Sequence, residues 1–139
     1  MLVVTRELAY ETQGAGQVVD ITGDVQGIVD GGGVREGLLT VFVKATTASI
    51  AIMELEPGLV LDLKAALQRL FPREITYQHN VLNNDTNGHS HTGAMFLSPS
   101  VTVPVQAGRP TLGTYQRIIL LDLDSRPRKR PVVVQVLGG

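Results

Sequence analysis

Three histidines, His79, His89 and His91, fall within thirteen residues of a 139-residue chain that has no others. Imidazole is the commonest protein ligand for metals and the side chain that ordinarily titrates near neutrality. With Asp85 between them, a divalent-metal site of the histidine/carboxylate type is one chemistry this stretch supports. The spacing matches no known zinc signature. His89 and His91, two positions apart, point to different faces of a helix but share one face of an extended segment. One of the two is therefore expected to join His79. Solvent-facing histidines on a polar loop remain the other reading.

Further residues offer weaker signals. Glu54 closes the apolar run Ile50-Ala-Ile-Met53, where a carboxylate can serve as base or ligand. Glu54 and Glu56 can equally complement the positive start of a following helix. Thr46 and Thr47 form a hydroxyl pair able to donate to a ligand, although threonine is common in turns. Arg126, Arg128, Lys129 and Arg130 crowd five positions, suited either to a phosphate or to a solvated hairpin. No glycine-rich phosphate loop, nucleophile elbow or paired acidic metal motif is present.

The elements that must position these groups follow from pattern. Leu2 to Thr12 reads as an edge-type strand, Val18 to Ile21 as a short strand, and Thr22 to Val29 as a short helix capped by Thr22. Gly31-Gly-Gly33 is expected to break regular structure. Leu38 to Val43 and Ala48 to Met53 are strand-like. Pro57 to Phe71 is a helix, opened by Pro57 and stopped by Pro72, with Leu59, Leu63, Leu67 and Leu70 as a stripe expected to pack into the core. Arg73 to Gly88 is a long polar loop, of a kind that is usually functional or disordered. A short helix over His91 to Leu97 and strands over Val101 to Val105, Tyr115 to Leu123 and Val132 to Val136 complete the reading. The class is α+β, a compact sandwich of mainly antiparallel strands with two to three helices, in one domain over residues 1–139.

Bulk properties narrow the options. Hydrophobic residues make up 43% of the chain, and the formal net charge is −1. That balance gives no global attraction to nucleic acid or anionic membrane. Aromatic residues are only 4%, so stacking platforms for single-stranded nucleic acid are scarce. With no cysteine, disulfides, thiolate metal sites and thiol nucleophiles are excluded. The start, Met1-Leu-Val-Val-Thr-Arg-Glu, turns charged too early for a signal peptide, and no apolar run spans a bilayer, so the cytoplasm is the expected location.

Two stretches, read together, resemble a known family. The first is Asn87-Gly-His-Ser-His91 followed by Met95-Phe-Leu97 and Ser100-Val-Thr-Val-Pro-Val105. The second is Gly108, then Leu112-Gly-Thr-Tyr-Gln-Arg-Ile118, ending in Pro127-Arg-Lys-Arg130 and Val132 to Val136. Their order is similar to the signature of the YjbQ-like family, the secondary thiamine-phosphate synthases. Asp20-Ile-Thr22, Gly37, Phe42-Val43, Thr46-Thr-Ala48 and Glu54 fit the same pattern upstream.

The resemblance implies a homotrimeric α+β sandwich with a weak thiamine-phosphate-synthase-like activity, a metal-assisted transfer on small phosphorylated molecules. It implies a polar cluster of Thr46, Thr47, Glu54, His79, Asn87, His91 and Gln116. His79 and His91 would hold a divalent metal, zinc or magnesium. Glu54 and His91 would be catalytic, with Glu54 as a further ligand or proton acceptor. Thr46, Thr47, Asn87, Gln116 and Arg128 would bind substrate, and Arg128 would meet a phosphate. The chain departs from the family pattern at Ala45, where a histidine is usual, at Met53 for asparagine, at Tyr115 for tryptophan, and in the altered turn Asp124-Ser-Arg-Pro-Arg128. Ala45 can neither ligate nor carry a proton. These departures support the alternative of a non-catalytic trimeric ligand- or metal-binding protein.

Overall fold

The computed structural model describes residues 1–139. Its elements, in order, are β1 (Leu2–Thr12), β2 (Gln17–Asp20), α1 (Thr22–Gly32), β3 (Gly37–Val43), β4 (Ala48–Glu54), α2 (Pro57–Leu70), α3 (Gln78–Asn83), α4 (Gly88–Leu97), β5 (Ser100–Gln106), β6 (Arg109–Pro110), β7 (Gln116–Asp122) and β8 (Arg128–Gly138). The strands form a five-stranded sheet, β1-β8-β3-β5-β6, and a three-stranded sheet, β2-β7-β4. Every pairing is antiparallel. The α+β sandwich is thus as expected, with β1 at a sheet edge and four helices rather than two or three.

Alternation dictates the packing. Successive strand residues face opposite sides, so Leu39, Val41 and Val43 of β3 and Val132, Val134 and Val136 of β8 turn inward together. They meet Ile50 of β4 and Ile118 and Leu120 of β7 in one cluster of 16 buried residues between the sheets. Val25 and Val29 of α1 join it. The opposite face of β7 presents Ile119 and Leu121, which pack with Ala94 of α4. The other face of the larger sheet leaves Val3, Leu38 and Phe42 exposed.

Four helix expectations differ from the structure. The α1 helix runs through Gly31 and Gly32 and ends at Gly33, whose φ of 74° is the left-handed conformation glycine adopts freely. Its cap position is Ile21 rather than Thr22; the Thr22 N–H is instead met by Asp20 Oδ1 at 3.0 Å. The loop from Arg73 to Gly88 contains the whole of α3. The α2 helix begins as expected, with Pro57 in its first turn. The Glu56 carboxylate accepts from the N–H groups of Gly58 and Leu59 at 2.8 and 2.5 Å. Its leucine stripe packs only in part: Leu63 and Leu67 lie half-buried against the cluster of Ala94, Ile119 and Leu121, no α2 residue is fully buried, and Leu70 is exposed. No helix is long and apolar enough to cross a membrane.

Candidate functional site

The polar loop and the segment after it fold back so that α3 carries His79 against His91 of α4. The approach depends on Gly88. A Cβ there would lie 2.5 Å from Tyr77 Cβ, so any side chain would force the two short helices apart. Asn80 secures the junction, its Oδ1 accepting the Gly88 N–H at 2.8 Å. The His79 and His91 rings consequently sit with centroids 4.3 Å apart, inclined at 44°.

Behind the rings lies a fully buried carboxylate, Asp124. Its Oδ2 accepts from Thr47 Oγ1 and from Arg128 Nε, both at 2.9 Å. Its Oδ1 accepts from the Ser125 N–H at 2.7 Å and faces Asn87 Nδ2 at 3.5 Å. A carboxylate can only accept, so the amide nitrogen of Asn87 belongs on the Asp124 side and its Oδ1 faces His79 Nε2, 3.1 Å away. His79 must then donate from Nε2, which leaves Nδ1 as its lone-pair nitrogen. Asp85 Oδ2 lies 3.6 Å from the same Nε2 and adds negative charge beside it.

The electrostatics follow. Burial opposes ionisation of Asp124, but the Ser125 N–H, the Thr47 hydroxyl and the Arg128 guanidinium outweigh it and hold the carboxyl at about 2. Burial, then the neighbouring His79, lowers the His91 pKa below its ordinary 6.5. His91 is therefore neutral at neutral pH. Its ring lines a cleft of about 400 Å³ with Ala45, Thr46, Thr92, Met95 and Pro99.

A second buried acid supports the first. Asp122 binds Arg130 through two hydrogen bonds, at 2.7 and 2.9 Å, and also accepts from Thr12 Oγ1 and the Asp124 N–H. Arg130 in turn donates to Thr47 Oγ1 at 2.7 Å. The sequence reading passed over Asp122 and left Arg130 in a basic run suited either to a phosphate or to a solvated hairpin. The available signal was an acid ending the apolar run Ile118-Ile-Leu-Leu121, with an arginine eight residues on.

His79, Asn87 and His91 come together as expected, and Arg128 and Thr46 lie close by. Thr47 is buried and committed to Asp124 and Arg130, so it shapes the site from behind rather than facing a ligand. Glu54 and Gln116 do not belong to the cluster. They pair with each other across β4 and β7, whereas Ala48, which shares the cleft with His91, pairs with Asp122 at the other end of the same strands. Six residues of strand separate the two ends by roughly 20 Å. Gln116 Oε1 is engaged by the Gly113 N–H at 2.8 Å. His89, buried, sits on the opposite face of α4 from His91.

Within a single chain the expected zinc or magnesium meets only part of a ligand set. Nowhere does the chain gather three or more His, Cys or acidic side chains able to hold an ion. Zinc sites draw at least three such ligands from the protein; within one chain two imidazoles converge, Asp85 lies beside His79, and Glu54 is remote.

Comparison with known proteins agrees with the fold. The family model described as UPF0047 protein YjbQ-like matches residues 6–139. A UPF0047 protein of Methanothermobacter thermautotrophicus is 39% identical over 138 residues, covering 99% of this chain and 94% of the relative. The crystal structure of a hypothetical protein from Aeropyrum pernix K1 superposes with a TM-score of 0.90 at 36% identity, covering 97% of this chain and 98% of that one. A YbjQ-like protein of unknown function from Sulfolobus solfataricus P2 gives 0.89 at 31% identity, with 99% of each chain covered.

These relatives correct the functional expectation. They lend no support to a thiamine-phosphate synthase activity: the family is one of unassigned function, and the Sulfolobus structure is explicitly of a protein of unknown function. The alternative of a lapsed, non-catalytic trimeric binder gains no better support from them. What the near full-length match does establish is membership: the chain belongs to the UPF0047, YjbQ-like family.

Proposed function

We propose that the protein is a general acid–base catalyst for a small molecule bearing an oxyanion group such as a carboxylate, with the His79–His91 pair as its proton-handling centre. The observation that carries this reading is the line of contacts from buried Asp124 through Asn87 to His79, with the neutral His91 ring against it. An imidazole oriented by a hydrogen-bonded third group is the usual arrangement of a competent base. Two imidazoles this close resist double protonation, and burial together with the neighbouring His79 holds the His91 pKa down. Arg128, whose Nε is held by Asp124, keeps its remaining N–H groups to meet the anion. Asn87 and Thr47 position these groups without touching the substrate.

The test is calorimetry with malonate in buffers of different ionisation enthalpy at pH 7. An anion beside the pair favours the imidazolium, so binding takes up a fraction of a proton. His91→Gln removes the uptake, and Arg128→Gln removes most of the binding. Malonate that binds with no proton exchange, or not at all, refutes the reading. We also take the chain to assemble as a homotrimer, a reading supported by the exposed Val3, Leu38 and Phe42 on the larger sheet. Light scattering at three times the 14.9 kDa chain mass is its check.

A further inference from the structure

We infer that a second, independent binding site lies on the far side of α4, for a small amphipathic anion with an aromatic or compact apolar body. A cavity of about 230 Å³ opens there between α2, α4 and the turn joining β1 to β2. No residue lines both this cavity and the His91 cleft. Two positions along a helix turn a side chain by about 200°, which sends His89 into this cavity and His91 into the other.

Its walls divide by chemistry. Leu67, Phe71 and Leu123 supply the apolar surface. Gly93 keeps the floor open: a Cβ there would come within 3.1 Å of Leu123 and 3.3 Å of Phe71. Lys64 and Arg73 reach the rim, and none of the chain's ion pairs engages either. These two cations form no ion pair, although Arg73 feels the neighbouring Glu74 carboxylate, itself engaged by Gln68 at 2.6 Å, and over an apolar pocket they favour an anionic head with an apolar body.

His89 adds a third, directional element. Ser90 Oγ lies 2.5 Å from the Leu123 carbonyl, to which it must donate its single proton. It can therefore only accept from His89 Nε2, 3.1 Å away, and this fixes the proton on Nε2 and the lone pair on Nδ1. The buried ring thus offers an acceptor beside the two cations. A ligand that pairs an oxyanion with a neighbouring O–H or N–H donor satisfies all three groups at once.

Salicylate, an aromatic carboxylate with an adjacent hydroxyl, is the probe. Titrated into the intact protein at pH 7 and followed by NMR, it gives saturable shifts at the Gly16 and Gly93 amides and at the His89 ring. Benzyl alcohol, which has the ring and hydroxyl but no charge, binds at least tenfold more weakly. Combining Lys64→Gln with Arg73→Gln weakens salicylate at least tenfold, and Leu67→Trp fills the space and abolishes the shifts while the spectrum stays dispersed. Absence of saturable shifts overturns the site, as does equal affinity for salicylate and benzyl alcohol. The His79 and His91 resonances report the other site separately, so failure of one proposal is distinguishable from failure of the other.

Discussion

Asp122 and Arg130 meet in two charge-assisted hydrogen bonds, 2.7 and 2.9 Å long, with both side chains shut away from solvent. Removing one member of such a pair leaves the other charged and uncompensated, typically at a cost of about 3–5 kcal/mol. Asp122→Ala should destabilise the protein toward the lower end of that range, because Asp124 Oδ2 remains 3.7 Å from Arg130. Chemical denaturation with an unchanged m-value is the measurement.

Acid should unfold the protein through these same carboxyls. Asp122 and Asp124 both titrate below their ordinary 3.8 in the folded chain, Asp124 at about 2. The unfolded chain therefore binds more protons in that interval, and stability rises with pH there. Their contribution is fully present above the unfolded value and is lost as pH falls from about 4 toward 2. A pH series of urea midpoints should show that loss; a flat profile across the interval contradicts it.

The histidines make a separate prediction above that range. Burial lowers the pKa of both His89 and His91, His89 further through Arg73 and His91 further through His79. Both rings should titrate below the ordinary 6.5 by NMR. His79→Ala removes the like-charged neighbour, so the His91 midpoint should move up while that of His89 stays put. Equal movement of both would show that the variant disturbs α4 as a whole.

Gly88→Ala should separate the imidazoles without touching either. Its new methyl would collide with Tyr77 Cβ, and the pair can be relieved only by moving α3 away from α4. The His91 midpoint should then rise as in His79→Ala. Stability should fall by about 1–3 kcal/mol, the usual cost of overpacking.

Ser49→Ala should be neutral or stabilising. The Ser49 hydroxyl is fully buried in β4 and has no hydrogen-bond partner. An unsatisfied buried polar group costs about 1–3 kcal/mol, and alanine removes that cost while leaving only a small void. A melting temperature that drops would mean that Ser49 has a partner after all.

β3 and β8 of the larger sheet were legible because they alternate cleanly, whereas β7, buried on both faces, shows a continuous apolar run. Leu39, Val41 and Val43, like Val132, Val134 and Val136, announce a buried face by period alone. The α3 helix was not, because Gln78-His-Asn-Val-Leu-Asn83 has neither an apolar stripe nor a capping side chain. It is held instead by the Asn80 contact to Gly88, a tertiary bond that local propensity does not encode. The leucines of α2 misled in the opposite direction. Their spacing is that of a buried stripe, yet the space beside Leu59 and Leu63 is shared with the small side chains of Ser49 and Ala51, and Leu59, Leu63 and Leu67 remain half-exposed beside open space. At the site, His79, Asn87 and His91 were readable as types in a polar stretch. Asp122 and Arg130 were not, since a buried ion pair spelled by a strand end and a basic run looks, in one dimension, like a solvated hairpin.

The register of the larger sheet carries a kinetic consequence. β8 lies between β1 and β3, and β1 meets it residue for residue from Leu2 opposite Gly138 to Thr12 opposite Arg128. An interior strand of that sheet thus comes from one end of the 139 residues and its edge from the other, and Arg130 cannot reach Asp122 and Thr12 together until the two ends meet. Closing a loop of this length before any contact rewards it places the molecule among slow, high-contact-order folders, on the scale of milliseconds to seconds. Half of the chain has no stable sheet to fall back on, so folding of this layer should be all-or-none.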